Sequence, residues 1–180
     1  MVDGAGFVAA YEDGIGPVRG RRVLVVGSGG VGAAIAFGLV EAGAGVVDVS
    51  DVDDSRARAL AERLRAQGVA AQFVEPSAAG YDLVVNASPA GMRPDDPIPI
   101  DLAGATSTLT VADVVTKPAD TPLLRAAADL GCRVQGGLRM AEAQIPLQAR
   151  FFGFMTGEWI PSSTGRRGGE RRPHVEEMAL

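Results

Sequence analysis

Cysteine, histidine and lysine occur once each in this chain of 180 residues, as Cys132, His174 and Lys117. A single thiol excludes an internal disulfide and a cysteine metal cluster. His174 sits in a polar C-terminal stretch, so neither histidine general-base chemistry nor a histidine metal site is expected of the folded part, and no metal is assigned. No apolar run approaches the roughly 18 residues that a membrane span needs. Val2-Asp3-Gly4 after Met1 lacks the charged start and apolar centre of a secretory signal, so a cytoplasmic location is expected. A net charge of −5 with no basic stripe argues against a nucleic-acid partner.

Glycine, by contrast, is plentiful (24 residues), and hydrophobic residues make up 47% of the chain, enough for a buried core. Four of the glycines lie close together after an apolar run of strand length. Val23 to Val26 stops at Gly27, and Gly27-Ser28-Gly29-Gly30-Val31-Gly32 carries the spacing G-x-G-x-x-G before Ile35, Leu39 and Val40 recur at helical spacing. In a dinucleotide-binding turn each motif glycine has a role. Gly27 permits the tight turn, Gly29 lets the backbone approach a pyrophosphate, and Gly32 lets the helix sit close on the strand. Free N–H groups and the positive end of the helix dipole then hold the phosphates. A second apolar run, Val46 to Val49, ends in Ser50-Asp51, about 20 residues on, where an acid meets the ribose.

The rest of the chain alternates between strand and helix patterns. Residues 1–20 read as a short linking helix with Phe7, Val8 and Tyr11 on one face, ended by Gly14, Gly16 and Pro17. Strands are expected near 22–26, 46–50, 82–88, 108–115 and 132–135, with a weak one at 71–74. Helices are expected at 30–42, at 56–67 behind an Asp53-Asp54-Ser55 cap, from Thr121-Pro122 to Leu130, and from Leu138 to Phe152 with a kink or break at Pro146. Residues 21–159 form one dinucleotide-binding unit, and 160–180 read as a disordered tail. The expected fold class is α/β, a Rossmann-like, doubly wound parallel sheet with flanking helices.

Five strings, in order, resemble the cofactor-binding half of the shikimate/quinate dehydrogenase family. Asp3-Gly4-Ala5-Gly6-Phe7 resembles the end of its N-T-D-G-x-G-F motif, and Gly27 to Val31 its glycine loop. Asn86-Ala87-Ser88-Pro89-Ala90-Gly91-Met92 resembles N-A-[ST]-P-x-G-M. Thr121-Pro122-Leu123-Leu124 resembles T-P-L-L. Gly137-Leu138-Arg139-Met140, with Gln144 and Thr156-Gly157 beyond, resembles the closing pattern. The resemblance implies NAD(P)-linked hydride transfer at a ring hydroxyl of a small cyclic hydroxy acid. It implies that Gly27 to Gly32 hold the pyrophosphate, with Asn86, Ala87 and Ser88 near the cofactor and Val114 and Gly137 bordering the nicotinamide. Gln144 would bond a substrate hydroxyl, and Asp3 would be the catalytic acid that shares a proton with a lysine.

The chain departs from the family pattern in three places. The substrate domain and its lysine are not among these 180 residues, so the chain reads as truncated. Thr116-Lys117-Pro118 replaces the usual tyrosine before x-Pro, which leaves Thr116 on the substrate side. Where NADP-binding members have N-R-T, this chain has Asp51-Val52-Asp53, so NAD is preferred and NADP less expected. Exposed apolar surface is expected at Phe7, Val8, Leu147, Phe151, Phe152 and Phe154, seeking a separate substrate-domain chain or a second copy. The competing readings are a non-catalytic dinucleotide-binding module and a remnant without function.

Overall fold

The computed structural model describes residues 2–152. Five parallel strands form one sheet in the order β2-β1-β3-β4-β5. They are β1 (Arg22–Val26), β2 (Val46–Ser50), β3 (Leu83–Asn86), β4 (Thr110–Asp113) and β5 (Arg133–Gln135). The chain leaves β1 for β2 on one side and later returns to the other side of β1 with β3. The direction of winding therefore reverses between β1 and β3, which is where open α/β sheets bind ligands. Val23 to Val25 and Leu83 to Val85 are fully buried, because helices cover both faces of the sheet.

The helices are α1 (Val2–Gly14), α2 (Gly30–Glu41), α3 (Asp54–Arg65), α4 (Pro122–Asp129) and α5 (Gly137–Phe151). Asp53 caps α3, its carboxylate accepting from the Ser55 and Arg56 amides. Thr121 caps α4 through the Leu124 amide, with proline in the first turn. α5 runs uninterrupted through Pro146, where a kink or break was expected.

The weak strand expected at 71–74 is reduced to isolated bridges alongside β2, although Val47 and Val49 still donate to the carbonyls of Ala70 and Gln72 at 2.9 Å. Gln72 also gives its amide to the Asp48 carboxylate, and that carboxylate accepts from the Tyr81 hydroxyl as well. Side-chain bonds thus hold the segment where a regular ladder does not.

α1 lies between α2 and α5 rather than trailing from the fold. A Cβ on Gly4 would stand 2.2 Å from the Ala34 carbonyl oxygen, and one on Gly6 would stand 2.4 Å from the Gln144 side chain. Glycine inside a helix costs about 1 kcal/mol, and here it admits two neighbouring helices at once. The expected exposure of Phe7 is corrected by this packing. Phe7 is 1% exposed, stacks on Tyr11 and shares a core with Val23 and Val25. Val8 and Leu147 are only half-buried. The apolar side chains that do face solvent on α5 and beside it are Leu138, Ile145 and Phe152, spaced seven apart. The expected 160–180 tail, His174, Phe154, Thr156-Gly157 and the Phe151 side chain lie outside the described residues.

Candidate functional site

The carboxyl ends of β1, β2 and β3 open into a cleft of about 1030 Å³ lined by Gly27, Gly29, Asp51, Val52, Ala87 and Ser88 among others. Two glycines build its floor by contact. Gly27 has φ +103°, and a Cβ there would stand 2.8 Å from the Ala87 carbonyl. A Cβ on Gly32 would stand 1.8 Å from the Gly27 oxygen. Gly29 and Gly30 are the opposite case, since a Cβ on either would meet nothing within 4 Å. Gly29 is also the N-cap of α2 and supplies no side-chain cap. The first amides of α2 are thus left without a side-chain acceptor beside open space, an arrangement that fits a pyrophosphate.

Asp51 ties this floor to β2. Its Oδ2 accepts from the Ser28 amide (2.6 Å) and the Ser28 hydroxyl (2.5 Å), and Oδ1 accepts from the Asp53 amide (3.0 Å). Burial pushes the Asp51 carboxyl up, but the Ser28 hydroxyl, the Asp53 and Ser28 amides and the nearby Arg56 together hold it below the usual carboxylate range. The acid therefore stays charged and oriented, with acceptor capacity left for ribose hydroxyls. Val52 is fully exposed on the same rim.

Asn86 is fully buried, and its amide bonds are made within the protein. It donates to the Ala90 carbonyl and to Asp113 Oδ1, and it accepts from the Ser88 amide and hydroxyl. Its side chain therefore shapes the Ala87–Ser88 edge of the cleft from beneath. Asp113, at the end of β4, was missed by sequence reasoning. Its Oδ1 accepts from Asn86 and the Val115 amide, and its Oδ2 accepts from the Thr121 hydroxyl at 2.7 Å. Burial raises its pKa against the pull of those three bonds. The available signal was Thr121-Pro122, a capped helix start whose hydroxyl has to be oriented by an acceptor.

The remaining expected residues gather elsewhere. The Val114 amide extends the ladder to the Asn86 carbonyl, and a Cβ on Gly137 would stand 2.3 Å from the Val114 oxygen. These two residues continue the carboxyl edge towards α5. Asp3 and Gln144 meet across α1 and α5, with Gln144 Nε2 donating to Asp3 Oδ1 at 3.1 Å. Thr116 is exposed on the loop after β4, next to Lys117. None of these five residues lines the large cleft. Its outer wall is instead formed by Met92, which closes the Asn86 motif, and by residues that no motif singled out: Phe73, Glu75, Pro76, Arg93 and Pro97. Asp96 braces that wall by accepting from the amides of Gly91 and Arg93.

Residues 17–91, from before β1 to the loop after β3, match a family described as "Putative NAD(P)-binding". The chain is 40% identical over 157 residues to the quinate/shikimate dehydrogenase (NAD(+)) of Corynebacterium glutamicum (strain R), covering 83% of this chain and 56% of that protein. It is 36% identical to the shikimate dehydrogenase (NADP(+)) of Pseudarthrobacter chlorophenolicus, covering 83% and 54%. The structure of quinate dehydrogenase from C. glutamicum in complex with NAD superposes with a TM-score of 0.74 at 37% identity, over 84% of this chain and 57% of that one. The chain thus spans a little over half the length of the curated relatives it matches.

Proposed function

Since the chain belongs to the shikimate/quinate dehydrogenase family through its dinucleotide-binding part, we propose that it holds NAD in the β1–β3 cleft and serves hydride transfer at a ring hydroxyl of a small cyclic hydroxy acid. The observation that carries this reading is the open, uncapped N-terminus of α2 beside Gly29, flanked by an oriented Asp51. NAD, when bound, supplies the hydride chemistry. The protein's part is to bind, orient and move a proton. The α2 amides receive the pyrophosphate. Asp51 accepts from the ribose hydroxyls, and its charge repels a 2′-phosphate, which supports NAD over NADP. Gly137 keeps the backbone beside Val114 low, leaving the nicotinamide end unobstructed.

At the reacting hydroxyl, Gln144 fixes Asp3 through Oδ1, and Asp3 Oδ2 is the atom to take or return the proton. Thr116 lies on the substrate side of the same edge. These residues form one wall of a substrate site. The opposite wall comes from the remaining half-length represented in the relatives, either in the same polypeptide or as a separate chain. The exposed Leu138, Ile145 and Phe152 stripe supports docking of such a partner, or of a second copy, beside α5.

Calorimetric titration with NAD and NADP, followed by NADH formation from quinate or shikimate, tests the reading. NAD binding without turnover by the 180 residues is expected, because a single wall cannot hold donor and acceptor at contact distance. Turnover on adding the partner half supports the dehydrogenase. NAD binding that no added half converts into turnover supports a non-catalytic dinucleotide-binding module, a reading favoured by the self-contained cofactor cleft. Failure to bind either dinucleotide overturns both.

A further inference from the structure

The ribose end of the cleft carries more negative charge than Asp51 supplies. The segment after α3 runs beside β2, with Val49 bridged to Phe73 in parallel and the Val74 amide donating to the Val49 carbonyl at 3.0 Å. Parallel neighbours advance in step, so that register, carried two residues further, directs Glu75 toward the Asp51 end of the cleft. Side chains two apart share a face, and Phe73, Glu75 and Asp51 all line the cleft. Asp54, another acid of this wall, is engaged by Arg58 at 3.6 Å. Glu75 is exposed, and its carboxylate has no hydrogen bond or ion pair among the described residues. Arg56 and Arg93 also line the cleft, and Arg58 lies over the Phe73 ring, 4.4 Å from its centroid. Among the lining side chains Asp51, Asp54, Glu75 and Asp96 stand against Arg56 and Arg93, so Glu75 adds to a negative excess.

We propose that Glu75 is a specificity-determining residue, whose carboxylate beside Asp51 makes the ribose end of the cleft reject a 2′-phosphate. This rests on the reading that the cleft holds NAD. Discrimination against NADP is then shared by two acids on adjacent chain segments, and replacing Asp51 alone does not convert the cleft. A phosphate dianion repelled by a carboxylate a side chain's width away loses about tenfold in binding under water-like screening. The loss fades as salt shortens the Debye length.

The test is calorimetric titration of NAD and NADP into the wild-type chain and Glu75→Gln, at low and at high salt. The wild type is expected to favour NAD. Glu75→Gln is expected to tighten NADP about five- to tenfold at low salt, to leave NAD within about twofold, and to lose most of the NADP gain at high salt. A wild type that discriminates while Glu75→Gln shifts neither cofactor, or both equally, overturns the role of Glu75 and leaves the NAD reading standing. A wild type that binds NADP as tightly as NAD, or binds neither, overturns that reading and this inference with it.

Discussion

The cofactor cleft and the α1–α5 wall are built on opposite principles. The cleft is made of backbone. Its floor is set by the absence of a Cβ at Gly27 and Gly32, the phosphate donors we propose for it are main-chain amides, and the Asp51 carboxylate is anchored to main-chain amides of Ser28 and Asp53. The wall is made of side chains. It brings Asp3 to Gln144 from helices 141 residues apart in sequence and joins them by one hydrogen bond. A backbone site tolerates almost no change in residue size and functions within a single domain. A side-chain pair tolerates substitution structurally, yet its chemistry depends on whatever lies opposite.

The most disruptive way to break this contrast is Gly32→Ala. A Cβ that would fall 1.8 Å from the Gly27 oxygen forces the start of α2 off β1. Overpacking of this kind costs about 1–3 kcal/mol or more. NAD binding is expected to fall below detection in calorimetry, with a lower denaturant midpoint. Gly29→Ala, placed in open space, should fold like wild type and weaken only the dinucleotide. If both variants fold and bind normally, the cleft is not built by glycine fit.

Asp51→Asn sharpens the contrast at the next level. It keeps the shape but removes the charge that accepts from Ser28, and charge-assisted bonds are worth about 1.5–3 kcal/mol. NAD affinity is expected to drop about 10- to 100-fold. The pH dependence follows from the directions of the shifts. Asp51 is held below its ordinary value of 3.8, so its contribution to stability is present above that value and is lost as pH falls through the lowered pKa. Asp113 is held above 3.8, so its contribution is present below 3.8 and is lost as pH rises through the raised pKa. Melting curves of Asp113→Asn across this range should show a flatter decline above pH 3.8 than wild type, and those of Asp51→Asn a flatter decline below it. Wild-type slopes in both variants would remove these carboxyls from the acid behaviour of the fold.

The same division explains what the sequence revealed. The glycine spacing, the strand ending in Asp51 and the capped helices at Asp53 and Thr121 are local signals, each readable within a few residues. The positions that escaped are set by long-range geometry. Asp113 lies in none of the quoted motifs, yet it joins Asn86 on one strand to Thr121 at a helix start. Asn86 fits a binding motif, but its amide is spent inside the protein, which only the folded loop reveals. Phe7 was read as partner-facing because the substrate domain that would cover the end helices is not among these residues. Gly4 and Gly6 let that helix be covered on two sides, as only their distances to Ala34 and Gln144 disclose. Glu75 gains its meaning from the register against β2, across a helix and two turns of chain.

The smallest expected effect belongs to the α1–α5 wall and is the sharpest test of its separateness. Asp3 and Gln144 are both partly buried, and the bond between them is a single charge-assisted contact at 3.1 Å. Asp3→Asn and Gln144→Leu should each cost at most about 1 kcal/mol, with a coupling near 0.5 kcal/mol in a double-mutant cycle, as for a solvent-accessible pair. Neither residue touches the glycine floor, so the NAD dissociation constant should stay within about twofold. Once the opposite wall is present, the same changes should lower turnover by about 10²-fold or more, if Asp3 Oδ2 takes the proton in the role we propose for it and Gln144 sets its direction. Gln144→Leu separates positioning from packing, since it keeps the carbon that packs beside Gly6 and removes the donor to Asp3. Near-wild-type stability with lost turnover in this variant assigns Gln144 to orienting Asp3. Equal loss of NAD affinity in Asp3→Asn would instead join the two regions into one site and dissolve the contrast between them.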